Sequence, residues 1–175
     1  DVNADGRSDL VLGGERLTVY ANGDAPDAVL HKVESVSGQP ESLLLALAAT
    51  DMDRNGATDI VGLTADGMLW TWHADRASGK LTAGDPVQMT VADEAARAQL
   101  IVRDFNGDGA ADVFAVAGRA WLANRVSDGY QLAADALAGL GAGRDEVTWA
   151  ASADYDADGD PDLVLAGPDG RPVLL

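Results

Sequence analysis

The fold is decided by a stretch of nine residues, Asp51-Met52-Asp53-Arg54-Asn55-Gly56-Ala57-Thr58-Asp59, which leads directly into the apolar pair Ile60-Val61. The same pattern begins at Asp1, Asp104 and Asp154, and apolar residues follow it each time. The four first aspartates are separated by 50, 53 and 50 residues. Self-similarity at a fixed period of this length is the signature of a repeat architecture. We number these stretches loop 1 (1–9), loop 2 (51–59), loop 3 (104–112) and loop 4 (154–162).

Each loop is predicted to join two strands. Apolar stretches precede three of the loops, at 43–49, 100–102 and 147–153. The residues that follow each loop are apolar at successive positions, which indicates short strands with both faces buried. A more polar strand is predicted further along each repeat, at 16–20, 68–72, 120–123 and 171–175. The Ala and Leu content of 42–49 and 93–102 also allows helices there, although the repeat context favours strands.

Several short strands per unit and a period near fifty predict a β-propeller. The expected fold is therefore all-β, a partial propeller ring of about four blades with calcium loops between adjacent strands. Residues 1–175 are interpreted as one propeller segment, with blades at about 1–40, 41–92, 93–143 and 144–175. The first and last blades are incomplete in this interpretation, so the chain is expected to be part of a larger ring.

The loops place oxygen ligands at spacings that suit calcium. Side chains at positions 1, 3, 5 and 9 and the backbone carbonyl at position 7 would supply the oxygens, of which Ca²⁺ takes six to eight. A glycine at position 6, expected to have a positive φ, would let each loop turn sharply. The predicted ligands, for up to four calcium ions, are Asp1, Asn3, Asp5, Arg7, Asp9, Asp51, Asp53, Asn55, Ala57, Asp59, Asp104, Asn106, Asp108, Ala110, Asp112, Asp154, Asp156, Asp158, Asp160 and Asp162.

Two alternatives to this metal site were considered. A metal-free, Asx-rich surface turn would use the same residue types. Loop 2 is the weakest calcium candidate, because Asn55 replaces a carboxylate at position 5. An EF-hand is excluded, since it needs a glutamate at position 12, where this chain has Leu12, Gly62, Ala115 and Leu165.

The charge and composition exclude several classes of protein. The net charge is −17, and thirteen of the 29 acidic residues are aspartates at loop positions 1, 3, 5 and 9. A surface of this sign argues against nucleic-acid binding. The chain has no cysteine, which excludes disulfides and thiolate metal sites, and no apolar stretch long enough for insertion into a membrane.

The loop pattern resembles the FG-GAP/VCBS repeat, which is found in integrin alpha-subunit propellers and in many secreted bacterial proteins. The stretch Trp121-Leu-Ala-Asn-Arg-Val-Ser-Asp-Gly-Tyr130 is also similar to one common in the bacterial branch. The resemblance implies a calcium-stabilised propeller that is exported, and so extracellular, at the cell surface or periplasmic. The signature Phe-Gly followed by Gly-Ala-Pro does not occur in this chain, so an integrin-like ligand site is not inferred.

The expected function is non-catalytic: protein–protein binding, adhesion or scaffolding outside the cytoplasm. The expected partner is a protein or the remainder of a larger polypeptide or assembly, with carbohydrate as a second possibility. The alternative function is a propeller-based carbohydrate-active enzyme, similar to a polysaccharide lyase, or its sugar-binding part. Such an enzyme would need a cluster of basic residues, and only 12 Lys and Arg are present.

The tryptophans and histidines give weaker signals. Trp70 and Trp72 stand two apart in a predicted strand and therefore share a face, which predicts packing between blades or a platform for stacking sugars or peptides. Trp121 and Trp149 are predicted to lie in the core. His31 and His73 are the only histidines, which argues against a zinc site built on histidine. His73 is interpreted as the end of a surface strand.

Overall fold

The computed structural model of the chain describes residues 1–23, 30–33, 36–89, 98–126, 129–133, 147–167 and 169–174. All the regular elements in these ranges are β-strands, which confirms the all-β class. Within the same ranges there is no helix of the length and hydrophobicity needed to cross a membrane. The chain divides into two compact units, Asp1–Gln88 and Met89–Leu175.

Unit 1 contains two sheets. In the first sheet, three antiparallel strands pair in chain order: β1 (Leu10–Leu12), β2 (Thr18–Ala21) and β3 (His31–Val33). The second sheet has the strand order β4-β8-β7-β6-β5, and β9 also pairs with β7. Its strands are β4 (Val36–Ser37), β5 (Leu44–Thr50), β6 (Asp59–Thr64), β7 (Met68–Asp75), β8 (Lys80–Ala83) and β9 (Val87–Gln88). β4 falls within the predicted first blade, yet it pairs in parallel with β8 of the second sheet.

Unit 2 also contains two sheets, both fully antiparallel. The third sheet has the order β10-β11-β12-β13 and the fourth the order β14-β15-β16. Their strands are β10 (Gln99–Arg103), β11 (Asp112–Val116), β12 (Ala120–Val126), β13 (Gly129–Leu132), β14 (Trp149–Ala153), β15 (Asp162–Ala166) and β16 (Pro172–Leu174).

Loops 2, 3 and 4 each connect two antiparallel neighbours. The aspartate at position 9 lies directly opposite the residue before position 1 in all three hairpins: Thr50↔Asp59, Arg103↔Asp112 and Ala153↔Asp162. Residues 44–50 and 99–103 are strands, so the helix alternative is wrong there, and 90–97 lie outside the described residues. The nine-residue loops therefore act as hairpin connections of one fixed register.

The core of unit 1 lies between its two sheets. Val19 of β2 and Leu17, which directly precedes β2, pack in one cluster with three residues of the second sheet, Leu44, Ile60 and Trp72. The Trp72 ring is fully buried, stacks on Trp70 at 5.7 Å between centroids, and donates from Nε1 to the Gly38 carbonyl at 2.9 Å. This arrangement favours the packing interpretation of the tryptophan pair over a stacking platform.

The core of unit 2 has the same construction. Phe114 of the third sheet packs in one cluster with Ala150, Leu163 and Leu165 of the fourth. Trp121 is buried, as predicted, but Trp149 is 50% exposed, so the prediction that it lies in the core is wrong. Successive side chains of a strand point to opposite faces, and on β14 it is Ala150 that faces the core, which turns Trp149 away from it.

Gly62 gives a test of the packing in unit 1. A Cβ at this position would lie 2.7 Å from Leu44 Cδ2, 3.0 Å from Trp72 Cζ3 and 3.1 Å from Leu47 Cδ2. The Trp72 ring is held by its hydrogen bond, so Gly62→Ala should lower the free energy of unfolding by about 1–3 kcal/mol. Gly14→Ala is the matched control, because a Cβ there meets nothing within 4 Å. Urea unfolding of both variants is the measurement, and equal stabilities would contradict this packing.

Candidate metal centre

The four loops share one backbone conformation. The glycine at position 6 has a positive φ in every loop, as predicted: 86° at Gly6, 85° at Gly56, 85° at Gly109 and 97° at Gly159. Position 4 is also left-handed, with φ of 54° at Ala4, 60° at Arg54, 72° at Gly107 and 61° at Ala157. Sequence reasoning missed this second turn, because only loop 3 carries a glycine there. Two left-handed residues at positions 4 and 6 curl each loop tightly enough to bring its side chains inward.

The carboxylate at position 1 closes this curl. It accepts a hydrogen bond from the amide of the position 6 glycine in all four loops: 2.8 Å in loop 1, 2.9 Å in loop 2, 2.7 Å in loop 3 and 3.2 Å in loop 4. The side-chain oxygens at positions 3 and 5 each accept the amide two residues further on. These bonds fix the rotamers of the predicted ligands and leave each oxygen a second lone pair.

The aspartate at position 9 fastens the loop to its sheet. The Asp59 carboxylate accepts the amide of Met52 at 2.8 Å and that of Ala74, on β7, at 2.7 Å. Asp112 accepts those of Phe105 at 3.0 Å and Arg125 at 2.8 Å. Both carboxylates are fully buried.

Loop 1 forms both of these bonds, and loop 4 forms the bond from the start of the loop. Asp9 accepts from Val2 and Asn22, and Asp162 accepts from Tyr155. We call this arrangement the position 9 clamp. Sequence reasoning assigned these aspartates only as ligands and missed their structural role.

The two buried clamp residues differ in acidity. Burial raises the pKa of Asp59, but the His73 imidazole and the amides of Ala74 and Met52 together hold it below its usual value. For Asp112, burial outweighs the amides of Arg125 and Phe105, and the charges of Asp108 and Asp104 raise its pKa further. Asp112 therefore lies in a more negative environment than Asp59, because no histidine accompanies it.

Loop 4 brings three predicted ligands together. Carboxylate oxygens of Asp154, Asp156 and Asp162 all lie within 4.8 Å of one another. The Asp158 amide lowers the pKa of Asp156, but desolvation and the charges of Asp158, Asp162 and Asp154 outweigh it, so that pKa is raised. Ligands 2.3–2.6 Å from one Ca²⁺ ion are separated by at most about 5 Å. The donor set, which contains only oxygen, therefore fits calcium, and a bound cation would relieve the repulsion.

Loops 1 and 3 carry asparagine at position 3, and their described carboxylates form no such triple. Loop 3 nevertheless has a buried oxygen, Asp104 Oδ1, without a hydrogen-bond partner. A buried carboxylate oxygen of this kind needs a donor or a cation. Asp104 also lines a groove of about 390 Å³ together with Arg103, Asp154 and Pro161. Loop 3 therefore fits a cation on different grounds from loop 4.

Loop 2 departs from the other loops at position 5. The Asn55 side chain donates from Nδ2 to Asp53 Oδ2 at 3.0 Å and to the Ala74 carbonyl at 2.8 Å. Its Oδ1 accepts the Ala57 amide at 2.7 Å. The site of loop 2 instead joins Asp53 and Asp59 to His73, a residue that sequence reasoning placed at a surface strand end. The signal that could have identified His73 is its position in the repeat. It lies on the third strand, directly before Ala74, whose amide donates to the clamp aspartate.

The clamp can be separated from metal binding in loop 3. Asp112→Ala would leave the amides of Phe105 and Arg125 without partners, so it should cost about 2–4 kcal/mol of stability even in chelator. Asp108→Ala, in the same loop but exposed, should cost less than about 1 kcal/mol under the same conditions. Urea unfolding in excess EDTA measures both variants. If the two lost the same stability, position 9 would have no structural role beyond metal binding.

The comparison with known families agrees with these observations over part of the chain. Residues 51–115 match the model of the FG-GAP-like repeat, a segment that contains loops 2 and 3 and the strands between them. No curated protein matches the chain. The match confirms the resemblance seen in the loop pattern. Residues 51–115 of this chain are an FG-GAP-like repeat.

Proposed function

We propose that the chain is a non-catalytic, calcium-binding repeat module whose sheets stack as β-propeller blades and which binds protein outside the cytoplasm. The observation that carries the proposal is that one oxygen-rich loop, with one hydrogen-bond scheme, recurs in all four sheets. Outside the cytoplasm, at the cell surface or in the periplasm, calcium reaches concentrations that suit loops of modest affinity.

Calcium would act on the structure rather than on a substrate. In loop 4 the ion would be held by Asp154, Asp156 and Asp162, with Asp158 and the carbonyl of Asp160 as further predicted ligands. A bound ion would supply the positive charge that the converging carboxylates lack. These residues then keep two antiparallel strands, β14 and β15, in one register.

The packing of sheets within each unit supports the propeller proposal. At position 2, Val2 of loop 1 joins the core cluster that contains Ile60 of the second sheet. Phe105, at position 2 of loop 3, packs against the cluster that contains Leu163 of the fourth sheet. The Gln99 side chain also forms two hydrogen bonds with the backbone of Ala150. Its Nε2 donates to the Ala150 carbonyl at 2.6 Å, and its Oε1 accepts the Ala150 amide at 3.2 Å. Each unit thus uses equivalent residues to place one sheet on the next.

Two sheet faces remain more exposed than the equivalent positions of the other sheets, which are buried or partly buried. Tyr155 is equivalent to Phe105 and Trp149 to Gln99, yet Tyr155 is 73% and Trp149 50% exposed. We call this pair the Tyr155 face.

Leu10 and Leu12 form the second exposed surface, the Leu10 face. They are equivalent to Leu163 and Leu165, which are only 6% and 3% exposed, whereas Leu10 and Leu12 are 41% and 46% exposed. Each face therefore has the chemistry to pack against a sheet of the same repeat. This supports a partner that is another blade of a larger polypeptide or assembly.

Calcium binding is tested by thermal unfolding. A site that is exposed to free calcium at one hundred times its Kd stabilises the fold by about 2.7 kcal/mol, so calcium should raise Tm by several degrees over EDTA. Magnesium, which prefers a strict octahedral site, should raise it less. Asp156→Ala should remove one ion per chain in a calorimetric titration. An unchanged Tm in calcium would contradict the proposal.

Stacking is tested by the mass of the chain in solution. The wild-type chain should associate at high micromolar concentration through the Tyr155 face of one copy and the Leu10 face of another. Tyr155→Glu and Leu12→Glu should each be monomeric, because each blocks one face. An equimolar mixture of the two variants should form a dimer, since one face of each kind remains. A monomeric wild type, or a mixture that stays monomeric, would contradict blade-to-blade binding.

A further inference from the structure

We propose that loop 2 is a mixed nitrogen–oxygen metal site, in which His73 joins Asp53 and Asp59 and selects a divalent transition-metal ion over calcium. This inference rests on the proposed function in one respect, namely that the loops bind metal. It assigns one of the four loops to a different class of ion.

The geometry brings the three side chains to one point. His73 Nδ1 lies 3.8 Å from Asp59 Oδ2, and an Asp53 oxygen completes a group in which all the atoms lie within 4.8 Å of one another. An ion about 2.0–2.2 Å from each ligand requires separations of roughly 3–4 Å. The group therefore needs only a small contraction to hold a metal.

The clamp of loop 2 holds His73 over the loop. Ala74 donates its amide to Asp59, and His73 is the residue before it on β7. In the first sheet the clamp amide belongs to Asn22, and the residue before it is Ala21. In the third sheet it belongs to Arg125, and the residue before it is Asn124. At this position, next to the clamp amide on the third strand of the repeat, an imidazole therefore occurs only beside loop 2 among these three sheets.

Burial makes the group a defined site rather than a surface cluster of acids. Asp59 is fully buried, and the His73 side chain is 34% exposed, so one side of the site is closed and the other is open to solvent. Among the described residues, His73 is the basic side chain that lies within ion-pair distance of Asp59. A divalent ion would neutralise a buried carboxylate that has no lysine or arginine beside it in the described part of the chain.

The chemistry of the donors favours a transition metal. Ca²⁺ takes oxygen ligands, whereas an imidazole nitrogen suits transition-metal ions such as Zn²⁺. The oxygen supply of loop 2 is also reduced, because the Asn55 amino group points to Asp53. Loop 2 thus has an amide in place of a carboxylate at position 5 and gains a nitrogen from His73.

Manganese provides a direct test, because pulsed electron paramagnetic resonance detects nitrogen bound to Mn²⁺. Mn²⁺ is added to the wild-type chain and then challenged with a large excess of Ca²⁺, which should displace it from loops that have only oxygen ligands. About one Mn²⁺ per chain should remain, and its spectrum should contain the modulation of a coordinated imidazole nitrogen. Complete displacement by calcium, or retained manganese without nitrogen coupling, would overturn the inference.

The two histidines of the chain provide matched variants. His73→Gln should abolish the nitrogen coupling and weaken Mn²⁺ binding in excess calcium by at least about tenfold. His31→Gln, an exposed residue of β3, should leave both unchanged. A His73→Gln chain that retained the coupling would refute the assignment, and the wild-type spectrum decides the question even if a variant folds poorly.

The outcomes also separate this inference from the proposed function. Stabilisation by calcium without nitrogen coupling would overturn the loop 2 assignment alone. Nitrogen coupling without any effect of calcium on Tm would support the loop 2 site and contradict the calcium module.

Discussion

The structure depends on the aspartate at position 9 of each loop, which is fully buried in loops 2 and 3. Asp59 and Asp112 lie inside their sheets with no exposed surface, and each accepts two backbone amides from segments that are distant along the chain. One amide comes from the start of the loop and the other from the third strand of the same sheet. A buried carboxylate is tolerated only when its oxygens are satisfied, so this side chain sets the positions of both segments. The hairpin register and the direction of the third strand follow from it.

The rest of the site is built on this clamp. With position 9 fixed in the sheet, the left-handed residues at positions 4 and 6 turn the loop back, and the position 1 carboxylate binds the position 6 amide. The remaining oxygens then face one another in an acidic protein, where desolvation and repulsion between carboxylates raise the pKa of Asp156. A bound cation would relieve that repulsion. The fold and the proposed metal sites therefore share residues. The hydrogen bonds of the clamp hold the fold even when no metal is bound.

Much of this arrangement could be predicted from the sequence because it repeats. The fourfold pattern predicted the two strands that loops 2, 3 and 4 connect. The glycines at position 6 predicted a positive φ there. Other features depend on contacts between distant residues. Ala4 and Arg54 carry no sign of a left-handed backbone, and the pairing of β4 with β8 joins residues 45 positions apart. Trp149 was predicted to lie in the core, whereas the alternation of β14 turns it outward.

His73 is the most informative of the residues whose position the sequence did not predict. Its neighbours along the chain suggest an ordinary strand end, and its role depends on the fold of β7 beside loop 2. Asn55 likewise looked like a weakened calcium ligand, but its amino group binds the Ala74 carbonyl and fastens the loop. Substitutions within a repeat therefore change the side chains around a loop, here by adding His73 and Asn55, while the clamp bonds stay the same.

The central claim is that these loops are cation sites built around one hydrogen-bond scheme. The most direct measurement is a calcium titration followed by the amide NMR signals of the position 6 glycines, each of which donates to a position 1 carboxylate. The account predicts saturable shifts of the Gly109 and Gly159 amides as calcium is added. Glycine amides that do not respond to calcium would contradict it.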